Sequence, residues 1–332
     1  MRRSLRFSLI LLLCCALLSG CSTTGWSVPV ATDVPGVSVP ELSVSGSGAV
    51  AVKSGSVLYF RYLDEPYLAP ETRTVTQAAG QSYEYALLSA LLAGPGTHSA
   101  SLNGVFPDGV RLLSTVKQGR TLFVTLSAEI MEPYADEPDN WQAEDEWRRE
   151  VPLRRQLCMQ AIVATVTENC DIDRVQVLVQ QDMATGSLRL RQNYFMDDSE
   201  DDVLVGPMTR EEGLLLTQSV TAEVILSCWQ QRDWARLYRY VASTDPESGI
   251  DRSDYDAFVQ EMEALPAISS YTLEGSSVTA DGSHATLTVS CTLLSGLQAT
   301  ETGACVLHLC REDGMWRITQ EDLTSWLEEV LG

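Results

Sequence analysis

The chain opens with an apolar run, Phe7 to Leu18, behind three arginines, and then shows almost no periodicity until Val57. The run is too short to span a bilayer as a mature helix, which takes about 20 residues. Val57-Leu58-Tyr59-Phe60-Arg61-Tyr62-Leu63 is apolar on both alternating faces and predicts a strand internal to a sheet. Gln81 to Ala93 predicts a helix, with Tyr83, Leu87, Leu88, Leu91 and Leu92 at three- and four-residue spacing and Gly94-Pro95-Gly96 as its stop. After the Pro107-Asp108-Gly109 turn, Val110 to Val116 and Thr121 to Leu126 predict a hairpin across Lys117-Gln118-Gly119-Arg120. Glu132 to Glu150 is acidic, carries no strand signal and predicts a surface excursion. Leu153, Leu157, Cys158, Ala161 and Ile162 then mark a second helix, and Val175, Val177 and Val179 alternate as a strand. Strand, helix, hairpin, helix, strand is an α+β layer of helices on a sheet.

Beyond the acidic run Asp197-Asp198-Ser199-Glu200-Asp201-Asp202 the pattern changes. Thr209 with Glu212 spells a capping box ahead of Leu214, Leu215, Val220, Val224 and Ile225. Asp233-Trp234 opens a further helix through Leu237 and Tyr240. Ser253 or Asp254 caps another, with Tyr255, Phe258, Met262 and Leu265 inward and Pro266 as its end. Ser269 to Gly275, Ala285 to Leu293, Ala304 to Arg311 and Met315 to Thr319 predict strands, the last entered through Glu312-Asp313-Gly314. Leu323, Trp326, Leu327 and Val330 close the chain as a helix. This half is a second α+β unit, helices first and then a curved antiparallel sheet.

Several motifs of the first half stand in a recognisable order: Tyr59-Phe60, Leu68-x-Pro70-Glu71-x-Arg73, Leu91-Leu92-Ala93-Gly94-Pro95, Phe106-Pro107-Asp108-Gly109, Val124-Thr125-Leu126-Ser127 and Ile162-Val163-Ala164-Thr165-Val166-Thr167-Glu168. Together, over roughly 56–195, they resemble the GerMN module of sporulation and spore-germination proteins and of related surface lipoproteins. The long acidic insertion between Ser127 and Leu153 departs from that pattern. The resemblance implies a noncatalytic assembly or envelope-binding module, with no catalytic residues to carry over. The second half, with Cys228-Trp229-Gln230-Gln231-Arg232-Asp233-Trp234-x-x-Leu237-Tyr238, resembles the nuclear transport factor-like cone over about 209–332.

Composition changes the picture at two points. The net charge of −22 argues against nucleic acid as a partner, and losing Arg2, Arg3 and Arg6 with a leader takes it to about −25. Those arginines, the apolar run and the small residues after it have the layout of a secretory signal. Leu18-Ser19-Gly20-Cys21 resembles the lipobox of bacterial lipoproteins, which implies diacylglycerol on the Cys21 thiol, palmitate-type acyl chains and residence on the extracytoplasmic face of the cell membrane. One acyl chain binds a membrane marginally and two or more hold a domain there. The organisation expected is a signal over 1–21, a Ser-, Gly-, Pro- and Thr-rich tether over 22–55, a GerMN-like domain over 56–196, an acidic linker over 197–208 and a cone over 209–332.

Candidate chemistry is sparse. Asp197–Asp202 clusters hard oxygen ligands but lacks the turn glycine and distal glutamate of a calcium loop, so a solvated hinge is expected. His98, His284 and His308 are scattered and no Cys-x-x-Cys follows Cys21, so neither a metal nor another cofactor is expected. Six cysteines remain: Cys158, Cys170, Cys228, Cys291, Cys305 and Cys310. Cys158 and Cys170 are too far apart along one helix to bridge, about 18 Å. Cys291 and Cys305 flank a hairpin and are the candidate disulfide, against buried thiols as the alternative. An active site in the cone would draw on Asp233, Tyr238, Tyr255 and His284, yet Asp233 suits a helix cap and Tyr238 a core aromatic. The expectation is a tethered, noncatalytic binding and assembly protein of the cell envelope in a sporulation or germination setting. Envelope proteins, peptidoglycan or further copies of itself are the expected partners. The alternatives are a small-ligand sensor using the cone and, behind it, an isomerase- or hydrolase-like enzyme.

Overall fold

Strand β1 (Ala51–Tyr62) folds back on β2 (Leu68–Gln77) in an antiparallel ladder running from Arg61↔Leu68 to Ala51↔Gln77. It therefore begins six residues before the apolar pattern does, inside the segment expected to be tether. The computed structural model describes residues 51–181, 186–195, 203–295 and 298–331. The leader, Cys21, the tether as far as residue 50 and the acidic run Asp197–Asp202 lie outside them.

On its other edge β1 meets β3 (Leu102–Asn103) only at Arg61 and Tyr62. Two further edge amides are taken by a helix. The Asn169 side chain accepts from the Val57 N–H at 3.0 Å and donates to the Val57 carbonyl at 2.7 Å, and Thr165 Oγ1 accepts from the Tyr59 N–H at 3.1 Å. Both residues belong to α2 (Trp147–Asn169), which buries Leu157, Ala161, Ile162 and Val166. The edge of β1 is thereby covered around Val57 and Tyr59 without another strand.

A second sheet runs β4-β5-β6-β7. The hairpin of β4 (Leu112–Gln118) and β5 (Thr121–Ser127) turns through Gly119 at φ +58°. From β5 the chain crosses through α2 to β6 (Arg174–Gln180), which lies parallel to β5, and then to the short antiparallel β7 (Ser187–Arg189). A parallel neighbour needs such a crossover. Helix α1 (Tyr83–Leu92), capped by Ser82 Oγ on the Tyr85 N–H, buries Leu87, Leu88 and Leu91.

The acidic excursion is anchored rather than loose. Trp141 is buried inside a 3-10 turn, α2 already starts at Trp147, and the Arg155 guanidinium sits 5.6 Å from the Trp141 ring centroid. The described part of the expected 197–208 linker and the chain just after it are stitched down as well. Val175 and Met208 exchange backbone hydrogen bonds of 2.9 and 2.8 Å, and the Leu216 N–H reaches the Leu68 carbonyl at 2.8 Å. The Thr209/Glu212 capping box does not form; Glu212 lies in a 3-10 turn, and the helix starts later, at α3 (Gln218–Gln231), with Thr217 as its cap.

Asp233 caps α4 (Trp234–Tyr238) and Asp254 caps α5 (Tyr255–Ala264), as the pattern predicts, while Tyr255 faces out at 41% exposure. Strand β8 (Ala267–Val278) pairs with β9 (His284–Ser295) through two bulges, which bend the sheet. The other side of β9 carries β10 (Gln298–Glu301) and β11 (Cys305–Glu312). β11 turns through Asp313 and Gly314, both at positive φ, into β12 (Met315–Arg317), and α6 (Gln320–Leu331) follows. The α+β class holds in both halves, helices before curved antiparallel sheet in the second.

The halves join at the β1–β2 turn. Glu65, almost wholly buried, accepts three contacts of 2.5 to 3.0 Å from Arg236 of α4. Asp64 pairs with Arg239 at 2.6 Å. Tyr62 OH donates to the Arg239 carbonyl and accepts from Arg317, while its ring meets Tyr240 edge-on at 5.6 Å.

Candidate functional site

A cleft of about 390 Å³ opens where three features of the first half meet: the end of β1, the loop after β3, and the acidic excursion with the first turns of α2. The loop contributes Phe106-Pro107-Asp108, and the excursion contributes Tyr134 to Asp136. Leu63, at φ +48°, turns the chain so that Asp64 reaches the rim.

Its floor is a chain of alternating charges. Arg61, nearly buried at the end of β1, donates through Nε to the Glu65 carbonyl and through Nη2 to the Asp64 carbonyl, both at 2.8 Å, and pairs with Glu150 of α2. Glu150 also accepts from Arg154 Nε at 2.7 Å, one helical turn on, and Arg154 grips Asp136 with two bonds of 2.6 and 2.9 Å. Burial pushes the Glu150 carboxyl up, but hydrogen bonds from Arg61 and Arg154 outweigh it and hold it below its ordinary value. The bond from Arg154 lowers Asp136, and the bond to Asp136 raises Arg154. Tyr134 donates to the Val105 carbonyl at 3.2 Å, lies under the Arg154 guanidinium, and is raised by burial. Every cation here is spent on a carboxylate. Two arginines against Asp64, Asp108, Asp136 and Glu150 leave the lining net negative, with Phe106 and Tyr134 as its aromatic surfaces.

The residues weighed for chemistry in the second half are each held by near neighbours. The Asp233 carboxylate caps α4 on the Arg236 N–H at 3.1 Å. Tyr238 OH donates to the Ser253 carbonyl at 2.8 Å, its ring packing against Tyr255 and Phe258. His284 Nδ1 lies 2.8 Å from Ser283 Oγ. The space between helices and sheet is filled by buried Trp229, Leu237, Phe258, Leu287, Val289 and Trp326, with Trp229 edge-on to Trp326 at 6.0 Å.

The histidines are less scattered than their spacing suggests. His284 lies opposite Cys310 in the ladder, and both line one groove with His308, Asp245, Glu321 and Asp322; His98 is exposed on the first half. Among the described residues no three His, Cys, Asp or Glu converge to hold an ion. The six cysteines among the described residues are free thiols. Cys305 pairs with Val289, and Thr302 satisfies the Cys291 N–H at 3.0 Å, so the two candidate partners lie on one ladder without facing each other. Among the described residues no helix is long and apolar enough to cross a membrane.

Sequence reasoning named the Phe106-Pro107-Asp108 wall but not the floor. Arg61 and Glu150 are 89 residues apart and carry no local signal of each other.

Residues 57–183 match the family model described as Germane: Sporulation and spore germination. The GerMN resemblance of the first half is thus borne out over the part that carries its motifs. No curated protein matches the chain. Among solved structures, a lipoprotein from Clostridium perfringens is 18% identical with a TM-score of 0.26, over 50% of this chain and 90% of that one. The tandem GerMN domains of the sporulation protein GerM from Bacillus subtilis are 17% identical with a TM-score of 0.29, over 55% of each chain. An NTF-2 like protein from Shewanella oneidensis MR-1 is 13% identical with a TM-score of 0.24, over 31% of this chain and 91% of that one. At such identities and scores these three likenesses carry no argument about function.

Proposed function

We propose that this chain is a noncatalytic binding protein of the cell envelope, held at the extracytoplasmic face of the membrane by acyl chains on Cys21 and acting in sporulation or germination. The observation that carries the reading is the match of residues 57–183 to the sporulation and germination family, since that segment contains the walls and floor of the cleft. The chemistry of the cleft supports binding rather than turnover. Both of its arginines are held by carboxylates, Arg61 by Glu150 and Arg154 by Glu150 and Asp136, which takes them away as free partners for a general acid or base. A net negative lining with aromatic faces suits an uncharged or amine-bearing polymer, such as a glycan strand with its peptide stems, and disfavours a polyanion. The apolar filling between helices and sheet in the second half favours a scaffold there over a ligand sensor.

Co-sedimentation of the full chain, in detergent, with purified peptidoglycan tests this reading. Phe106→Ala is expected to cut the bound fraction about tenfold, the loss of one well-packed anchor, and Asp233→Ala to leave it unchanged. Absence of binding to peptidoglycan, together with absence of crosslinks to envelope proteins in native membranes, would sink it.

A further inference from the structure

The opposite face of α2 carries a second surface. Arg149, Pro152, Leu153, Gln156 and Met159 recur at three- and four-residue spacing, so they stack along one stripe of the helix. The stripe floors an apolar groove of about 560 Å³, walled by Phe195 and by Leu204 to Met208. Leu204, its neighbour Val203 and Leu188 of β7 remain 41%, 49% and 46% exposed, a run of apolar surface on the rim. The Val205 N–H bonded to the Leu190 carbonyl at 2.8 Å holds these two rim segments side by side.

The two ends of the groove differ in charge. Arg149 stands at one end, donating through Nε to the Asp145 carbonyl of its own turn at 3.2 Å. Glu211 stands at the other, held by the amides of Gln156 and Gln160 at 3.1 and 2.8 Å. From residue 149 to residue 160 the helix rises about 16 Å. Neither end has an ion-pair partner among the described residues, although Arg61, Arg73, Arg154, Arg210, Arg236 and Arg239 all do.

We propose that this groove docks a second copy of the chain about a two-fold axis near Leu153 and Gln156. An apolar strip with one positive and one negative end is complementary to itself when turned end for end. The rotation sets Arg149 on the partner's Glu211 and Glu211 on the partner's Arg149, and it buries the Leu204 rim of each copy. The cleft uses Glu150, Arg154 and Leu157, on another side of the same helix, so dimerisation leaves it open.

Sedimentation velocity of the full chain in detergent, over a dilution series, tests the proposal. A monomer–dimer equilibrium is expected. Arg149→Glu and Glu211→Arg should each raise its dissociation constant roughly tenfold, because each reversal puts like charges together twice. The double reversal should return it to within about threefold of the original. Leu204→Asp, at an exposed position, should abolish the dimer and melt as the wild type does when diluted to monomer. A monomer at every concentration overturns the proposal. So does a dimer that ignores Leu204→Asp, or a double reversal no better than the single ones.

Discussion

Arg236 and Glu65, 171 residues apart, meet through three contacts of 2.5 to 3.0 Å, with the Glu65 side chain only 4% exposed. Truncating one member of such a pair leaves the other charge desolvated and unmatched, which costs more than the pair contributes. Arg236→Ala is therefore expected to lower stability by about 2–4 kcal/mol in urea unfolding. Because the pair spans both halves, wild type should unfold in one transition by circular dichroism and by tryptophan fluorescence alike. Two separated transitions in the wild type would show that the junction does not couple them.

The floor of the cleft makes the protein acid-sensitive. The Glu150 and Asp136 carboxyls titrate below their unfolded values, so the unfolded chain takes up more protons as acid is added. Their stabilisation is complete above the unfolded carboxylate values of about 4 and is lost as pH falls through the lowered folded ones. Asp136, with its side chain 62% exposed, contributes little after solvent screening, and Glu150, 22% exposed, contributes most. Arg154→Met should both destabilise at neutral pH, by about 2 kcal/mol, and flatten the acid limb of the stability curve. An acid limb as steep in Arg154→Met as in wild type would remove this pair from the account.

Two threonines separate local from long-range control of a helix start. Thr217 Oγ1 accepts from the Val220 N–H at 3.3 Å, whereas Thr209 contributes its carbonyl, to Gln160 at 3.2 Å. Thr217→Ala should cost about 1 kcal/mol, the usual worth of an N-cap, and Thr209→Ala close to nothing. Equal losses in thermal melts would return the helix start to Thr209.

Those threonines also show what the pattern could and could not reveal. Thr209 and Glu212 have the right chemistry for a capping box, but the backbone of 203–216 is claimed by Val175, Leu190 and Leu68, contacts that no local window contains. Strands β1, β5 and β6 were legible because their apolar residues are buried by layers on either side. β2 was not legible as a strand: Pro70 breaks the run and Glu71, Thr72, Arg73 and Thr74 are polar. Pro70 is tolerated because β2 ladders with β1 on one edge and makes only the isolated Leu68–Leu215 bridge on the other, so no donor is needed from residue 70 on that outer edge. β10 stayed hidden because all four of its residues are exposed. In the cleft, the wall has a motif, while the floor depends on Arg61 finding Glu150 and Arg154 finding Asp136 once the fold exists.

The thiols differ in reactivity by burial. Burial pushes Cys170, Cys228 and Cys310 up to about 11, so each is protonated and slow at neutral pH, while Cys305 is partly exposed. Brief maleimide treatment of the native chain should mark Cys305 first. Labelling after denaturation without reductant should then count six thiols, as the structure has them. A count of four, with Cys291 and Cys305 the two left unlabelled, would mean that they have bridged.

The tether is the remaining premise, and it rests on Leu18-Ser19-Gly20-Cys21. On the proposed reading, loss of the leader would take the net charge to about −25, which would repel the chain from an anionic leaflet and would leave acyl chains to supply its retention. Each buried methylene contributes about 0.8 kcal/mol, and two chains suffice where one does not. Cys21→Ala keeps the apolar leader but removes the thiol that would carry diacylglycerol. The variant should lose fatty-acid label entirely, and any of it that is still processed should move to the soluble extracytoplasmic fraction. Raising the salt concentration should leave the wild type on the membrane, since screening weakens attractive charges and not buried methylenes. Wild type released by salt, or Cys21→Ala retained with its label, would transfer the anchoring to some other part of the chain.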